Sequence, residues 1–215
     1  MSKTWWSSDI HVNHRSIMRY TPRGEVLGFG PQNEDENLPS PEVERRIAIH
    51  NDWMRDTINA VVQPQDRFFV LGDIFFGDKW HAAHWLSQIN CRHKILVGGN
   101  HDDKMMEFYA ANTSQELFEE VHLFGTEVKL NGRRIVMCHF PIVEWNAGHH
   151  GSWMLHGHCH GNFDYAKADL ADKKILDVGW DNAIKVLGEY RPFEISDIEK
   201  YMEGRVNITH HNKAG

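Results

Sequence analysis

Seven side chains in this sequence have the chemistry of transition-metal ligands: Asp9, His11, Asp73, Asn100, His139, His158 and His160. The set offers carboxylates, one amide oxygen and four imidazoles, with no thiolate. Such mixed oxygen and nitrogen ligation suits manganese, iron, zinc, nickel or cobalt; calcium prefers oxygen alone and structural zinc favours cysteine. One ion cannot hold seven groups comfortably. Two ions sharing a bridging carboxylate can, and a pair roughly 3.5 to 4 Å apart is the usual arrangement for displacement at phosphorus. A single Asp-x-His or a single buried histidine would more often be structural, so the conjunction carries the reading. Abundance decides nothing: of the 16 histidines, His81, His84, His93, His210 and His211 read as solvated side chains, and His149 and His150 as an exposed turn. His156, inside an apolar run, reads as a satisfied core histidine or one that supports a ligand.

These groups need elements that deliver them to one place, and the apolar runs supply them. Thr4 to Ser8 leads into Asp9, Arg67 to Leu71 into Gly72-Asp73, and Lys94 to Val97 into Gly98-Gly99-Asn100. Arg134 to Cys138 ends at His139, and Trp153 to His156 ends at Gly157-His158-Cys159-His160. Short, nearly unbroken apolar runs alternating with helical stretches describe strands buried on both faces, as in α/β folds whose sites form beyond the carboxyl ends of the strands. Asn131-Gly132 between two alternating runs is a hairpin signal, which adds antiparallel pairing. The expected fold is α/β, with mixed sheets packed as a sandwich and helices outside.

Helices are expected from Ser40-Pro41 to Gln63-Pro64, with Ser40 as cap, then over about 80–89 and 103–112. The stretch 12–41, punctuated by proline and glycine, reads as a long surface loop, and the residues after Gly204 as a polar tail that frays. No repeat or linker divides residues 1–215, so a single domain is expected.

With 41% hydrophobic and 25% charged residues the composition is that of a globular protein, and no apolar run approaches the roughly 20 residues that cross a bilayer. The N-terminus lacks the pattern of a secretory signal, which points to a soluble cytoplasmic protein. The net charge of -7 argues against a partner as long and anionic as extended nucleic acid. Cys91, Cys138 and Cys159 form no C-x-x-C pair and are expected to stay reduced. Nothing in the sequence sets an oligomeric state.

Asp9-Ile10-His11, Gly72-Asp73, Gly99-Asn100-His101-Asp102, His139 and Gly157-His158-Cys159-His160 occur in the order in which they resemble the motifs of the calcineurin-like metallophosphoesterases. Leu71 to Gly77, His139-Phe140-Pro141 and Leu155 to Gly161 are similar to the small bacterial and phage branch. The resemblance spans residues 9 to 160 and implies a four-layer sandwich. It implies two divalent transition metals, manganese favoured, one held by Asp9, His11 and His160, the other by Asn100, His139 and His158, with Asp73 bridging. It further implies attack by a hydroxide between the metals and protonation of the leaving oxygen by His101. Asn13 and His14, just beyond His11, and Asn100 are the candidate substrate contacts.

The chain departs from the phosphoprotein phosphatases of that superfamily. Where they continue the Gly-Asp motif with a second Asp and an Arg, this sequence has Phe76 and Gly77, and Asp102 stands where they have Glu. The partner of the acid histidine and a phosphate clamp are thus missing, which argues against a protein phosphatase. Asp102 or Asp78 are candidates to orient His101. Arg15, Arg19, Arg23 and Lys104 are candidate phosphate contacts, though each alone reads better as a solvated charge. Trp145 and Trp180 are placed to stack on a base, with packing the preferred reading, and Asp177 and Asp181 flank a strand end without being ligands. The expected function is hydrolysis of a small phosphodiester or phosphomonoester, nucleotide-type favoured. The alternatives are a nuclease, disfavoured by the acidic balance, and a non-catalytic metal-binding scaffold, disfavoured by the complete ligand set.

Overall fold

In the computed structural model, which describes residues 2–30, 39–114 and 116–209 apart from the Lys104 side chain, the apolar runs become strands. The first half runs β1 (Thr4–Ser7), α1 (Ile17–Tyr20), α2 (Arg23–Val26), α3 (Ser40–Val61), β2 (Arg67–Val70), α4 (Lys79–Ser87), β3 (His93–Val97), α5 (Asp103–Ala111) and β4 (Glu120–His122). The second runs β5 (Gly125–Leu130), β6 (Arg133–Cys138), β7 (Trp153–His156), β8 (Ile175–Asp177), α6 (Trp180–Leu187), β9 (Phe193–Glu194) and α7 (Ile195–Met202). One sheet has the order β4-β3-β2-β1-β9, parallel except for β9; the other has the order β5-β6-β7-β8, with β5 antiparallel to β6.

Both faces of the first sheet are buried, and the alternation along β2 shows why. Phe68 and Val70 pack with Met54, Ile58, Trp85, Leu86, Met105 and Tyr109 of the covering helices. Phe69 and Leu71 point the other way, into a core shared by the two sheets with Trp6, Ile95, Val97, Ile135, Met137, Leu155 and Leu176. Trp6 and Phe69 stack there at 5.5 Å. Each such side chain, taken fully out of water, contributes about 1.5 to 3 kcal/mol. The fold is therefore an α/β sandwich of two mixed sheets flanked by helices. Asn131 and Gly132, at φ 48° and 74°, close the two-residue turn between β5 and β6, with Leu130 opposite Arg133.

Several boundaries differ from the sequence expectation. Helix α3 starts one residue earlier, so that Ser40 lies inside it and Pro39 takes the cap position without a side-chain bond. Helix α4 starts at Lys79 because Asp78 accepts from the backbone N–H groups of Trp80 and His81. Helices α6 and α7 and strands β4 and β9 were not anticipated; α7 carries a capping box in which Glu194 and Asp197 stand in for the usual residue types. The stretch after Val12 is not a plain surface loop. Ile17 and Met18 pack on Ile47 of α3 with Leu27, Phe29 and Val43 around them. Residues 31–38 of that stretch lie outside the described residues. The start of the polar tail is likewise held down: Val206 bridges Lys173 and Ile208 is buried against Trp145 and Leu170, while His210, His211 and the last residues lie outside the described ones. Among the described residues no helix is long and apolar enough to cross a membrane.

One core histidine has a consequence for stability. His50 of α3 is buried, and its imidazole is pushed down to about 3 by burial and by the neighbouring Arg23 charge. Unfolded, the same ring titrates at 6.5. Between those values the unfolded chain binds the extra proton, so stability falls as pH drops through that window, by about 1.4 kcal/mol per pH unit. Urea unfolding of His50→Gln between pH 7 and 4 should show a shallower loss than the wild type. Equal slopes would rule out this source of acid sensitivity.

Candidate metal centre

The motifs meet where β1, β2, β3, β6 and β7 end. Ligand atoms of Asp9, His11 and His160 all lie within 4.8 Å of one another, and so do those of Asp9, Asp73 and His139. The His11 and His160 Nε2 atoms are each 3.8 Å from Asp9 Oδ1. Asp73 Oδ2 faces three imidazoles, with Nε2 of His139 at 3.5 Å, His11 at 3.9 Å and His101 at 4.0 Å. Asn100 Oδ1 lies 3.0 Å from His139 Nε2. His158, exposed, stands at the edge of the second group, its ring 5.1 Å from that of His139 and 4.8 Å from Phe140. The structure thus brings Asp9 into both groups, and seats His158 beside the second without placing it among the closest atoms.

Backbone geometry turns these side chains inward. Asp9, His11, Asp73, His158 and His160 all have positive φ, between 48° and 70°, a conformation in which a non-glycine residue stores on the order of 1 to 3 kcal/mol. Hydrogen bonds between loops hold it: the Asp9 N–H donates to Gly72 O at 3.1 Å, that of His11 to Asp73 O at 3.0 Å, and that of His158 to Asp9 Oδ2 at 2.9 Å. The loops after β2 and β3 touch. A Cβ on Gly72, itself at φ 89°, would come 2.6 Å from Gly99 Cα, and one on Gly99 would run into Asp73 Oδ1.

The hydrogen bonds also fix which nitrogens are free. His139 Nδ1 donates to Leu71 O at 2.7 Å, which turns Nε2 toward two oxygens, Asn100 Oδ1 and Asp73 Oδ2. His160 Nδ1 donates to Asp181 Oδ2 at 2.7 Å, which turns its Nε2 toward Asp9. Asp9 Oδ1 and both ring nitrogens of His11 are buried without a hydrogen-bond partner. Buried ligand atoms without partners are costly, and a cation among them would satisfy the whole set. The donor atoms could therefore hold a metal ion. Burial alone would push the Asp9 carboxyl up, but His11, His160 and His139 hold it well below the usual carboxylate range. Burial would lower the His160 imidazole, yet Asp181 and Asp9 raise it.

His101 sits at the mouth, its side chain exposed and its backbone N–H donating to Asp73 Oδ1 at 2.9 Å. Neither proposed partner orients it. Asp102 is buried and accepts from the N–H groups of Asp73, Ile74 and Gly99, while Asp78 caps α4 and pairs with His81. The ring beside His101 is Phe76, at 4.9 Å. Phe76 also packs against His11 and His14; burial, with His11 and His101 nearby, pushes the His14 imidazole down to about 4. Asn13 is less free to meet a substrate than its position in the chain implies, because its Nδ2 donates to Phe76 O at 2.7 Å. A cleft of about 500 Å³ opens beside these groups, lined by Phe75, Phe76, Gly77, Asn100, His101 and Met105.

Of the candidate phosphate contacts, Arg15 is exposed, Arg19 half-buried, the Lys104 side chain lies outside the described residues, and Arg23 is no surface charge at all, being fully buried against Asp181. Asp181 is the residue the sequence reading passed over. Burial would raise its carboxyl, but Arg23 and His160 bring it down to about 2. Its place beside the strand end at Asp177 was the signal in the sequence; its position in the first turn of α6 is what turns it toward His160. Trp145 and Trp180 are buried, which leaves no face for a base, and His156 is a satisfied core histidine bonded to Tyr165.

No family model matches the chain. The gene 66 protein of Mycobacterium phage L5 is 26% identical over 188 residues, covering 74% of this chain and 78% of that protein. The gene 66 protein of Mycobacterium phage D29 is 23% identical over 223 residues, covering 93% and 99%. The uncharacterized protein MJ1445 of Methanocaldococcus jannaschii is 25% identical over 207 residues, covering 94% and 93%. Among solved structures, the protein of unknown function AQ665 from Aquifex aeolicus superposes with a TM-score of 0.61 at 19% identity, covering 94% of this chain and all of that one. That likeness is one of fold.

Proposed function

We propose that this chain is a dinuclear metal-dependent phosphoesterase of the calcineurin-like kind, cleaving a small phosphodiester or phosphomonoester, with a nucleotide-type compound favoured. The observation that carries the reading is the convergence of His139 Nε2, 3.0 and 3.5 Å from Asn100 Oδ1 and Asp73 Oδ2, with the buried, unpartnered Asp9 Oδ1 and His11 nitrogens. Asp9, His11 and His160 would hold one ion, and Asn100, His139 and His158 the other, with Asp73 between them. Two divalent transition metals, manganese favoured over iron, zinc, nickel and cobalt, supply Lewis acidity toward the phosphoryl oxygens and a nucleophile at neutral pH. His101 stands exposed at the mouth of the cleft, where its imidazole would deliver a proton to the leaving oxygen. The unpaired cysteines Cys91, Cys138 and Cys159 fit a reducing compartment such as the cytoplasm.

Gly77 favours a diester. It leaves no arginine to clamp a dianionic monoester, and at φ 129° any side chain there would press on Asn13 Nδ2, 2.9 Å from its Cβ position. The test is reconstitution of metal-free protein with each metal, followed by assay of cyclic nucleotides, dinucleotides, monoesters, phosphoproteins and single strands. Two metals per chain and faster cleavage of bis-p-nitrophenyl phosphate than of p-nitrophenyl phosphate are expected. A chain that takes up no metal, or hydrolyses none of the panel, contradicts the proposal.

The acid role of His101 has its own signature. General acid catalysis contributes typically 10²- to 10⁴-fold, and matters most for a poor leaving group. His101→Ala should keep both metals, lose roughly that factor on a nucleoside or alkyl ester, and lose far less on a nitrophenyl ester. Equal losses on both, with metals intact, would remove the proton-donor role.

A further inference from the structure

Arg23 belongs to the segment that reads in sequence as a surface loop, yet no part of its side chain reaches solvent. Its Nε and Nη2 grip Asp181 Oδ1 and Oδ2 at 2.8 and 2.7 Å. Nη1 donates to Ile10 O at 2.8 Å and Nη2 to Asp9 O at 2.6 Å. The same Asp181 Oδ2 accepts from His160 Nδ1 at 2.7 Å. One guanidinium therefore reaches every member of the Asp9, His11 and His160 group: it holds the two carbonyls between Asp9 and His11, where both flanking residues have positive φ, and it supports His160 through Asp181.

We infer that Arg23 and Asp181 are positioning residues for the metal site formed by Asp9, His11 and His160, with the guanidinium bracing the strained Asp9–His11 backbone and Asp181 holding His160 in the tautomer that offers Nε2. The inference rests on the metal reading proposed above. A purely structural role is a poor account of the pair, because a buried ion pair is commonly matched or bettered in stability by apolar side chains of similar volume. What apolar side chains cannot do is accept the Nδ1 proton of His160 or bond the Asp9 and Ile10 carbonyls. The rest of the segment serves delivery: Ile17 and Met18 anchor it to Ile47 of α3, and Asp181 enters from the first turn of α6. The Asp181 arm acts on one side of the centre only, through His160, whereas the Arg23 arm also braces Asp9, which both groups share. His139 takes its orientation from Leu71 O and has no contact with Arg23 or Asp181 among the described residues.

The asymmetry supplies the test. Full-length, metal-free chain is titrated with manganese or zinc by equilibrium dialysis with metal analysis, and the histidine tautomers are read from nitrogen-15 shifts. Wild-type chain should take up two ions. Asp181→Asn should weaken one of the two by roughly 10- to 100-fold, the usual effect of losing a carboxylate behind a ligating histidine. His160 should lose its fixed Nδ1–H tautomer while His139 keeps its own. Arg23→Lys, which restores the charge without the fork, should fall between the two. Should Asp181→Asn fail to fold, the double variant Arg23→Met, Asp181→Leu replaces the pair by apolar bulk and should show the same loss of the His160 tautomer with weakened metal uptake. Two ions bound at wild-type affinity with the His160 tautomer unchanged, in either variant, overturns the inference and leaves the metal reading standing. Wild-type chain that takes up no ion overturns the metal reading and this inference with it.

Discussion

Asp73→Asn should leave the protein folded, nearly free of metal and nearly inactive. One oxygen of this carboxylate accepts the His101 N–H at 2.9 Å, so the other is held toward His139, His11 and His101, at 3.5 to 4.0 Å. Among the described residues only Asp9 shares this placement between the two ligand groups. The amide removes one negative charge from a donor set whose imidazoles are neutral when they ligate, and whose charge balance rests on two carboxylates. Groups one step behind a ligand typically cost 10- to 100-fold in affinity or activity, so losing a shared carboxylate should cost at least about 10²-fold in kcat/KM. Metal analysis and steady-state kinetics on one preparation decide the matter. A variant with two ions per chain and full turnover would remove Asp73 from the centre.

The largest expected loss of stability is at Asp102. This buried carboxylate gathers three backbone donors: Asp73 N at 2.7 Å, Gly99 N at 2.9 Å and Ile74 N at 3.2 Å. It ties the loop after β2 to the loop after β3, and thereby Asp73 to Asn100. Asp102→Ala strands those N–H groups in the interior, each at about 1 to 3 kcal/mol. Part of that is offset, because the carboxylate itself is uncomfortable there; burial and Asp73 push it up to about 6 despite the three donors. A net loss of roughly 3 kcal/mol is expected, with Asp102→Asn, which keeps an acceptor oxygen, losing less. Urea unfolding of metal-free protein measures both. A loss below about 1 kcal/mol for the alanine variant would mean that water reaches these donors.

The strand ends were legible because a buried strand has to be apolar and a ligand has to be polar, so the boundary between them is abrupt. The runs ending at Asp9, Asp73, Asn100, His139 and His158 all show it, and the structure brings four of those residues into one centre with His158 at its edge. The Asn131-Gly132 turn was legible for a local reason, since two consecutive positive φ angles select those residues. Helices α6 and α7 were not, since each is only eight residues long and the capping box of α7 uses unusual residue types. The type of each ligand, the order of the motifs and the alternation of strands and helices are therefore properties of the sequence alone, because they depend on what each residue is and on its near neighbours.

Partnership across the chain is another matter. Arg23 lies 158 residues from Asp181, and in sequence it is indistinguishable from the exposed Arg15. Asp102 stands beside His101 in the chain, which made it look like that residue's partner; the turn into α5 sends its carboxylate to the backbone instead. Asn13 follows His11 closely, but its amide is spent on Phe76 O. Which polar side chain touches the reacting centre, and which one holds the backbone that carries it, depends on directions set by a few positive φ angles and by packing between distant segments. Those directions exist only once the two sheets have closed on each other.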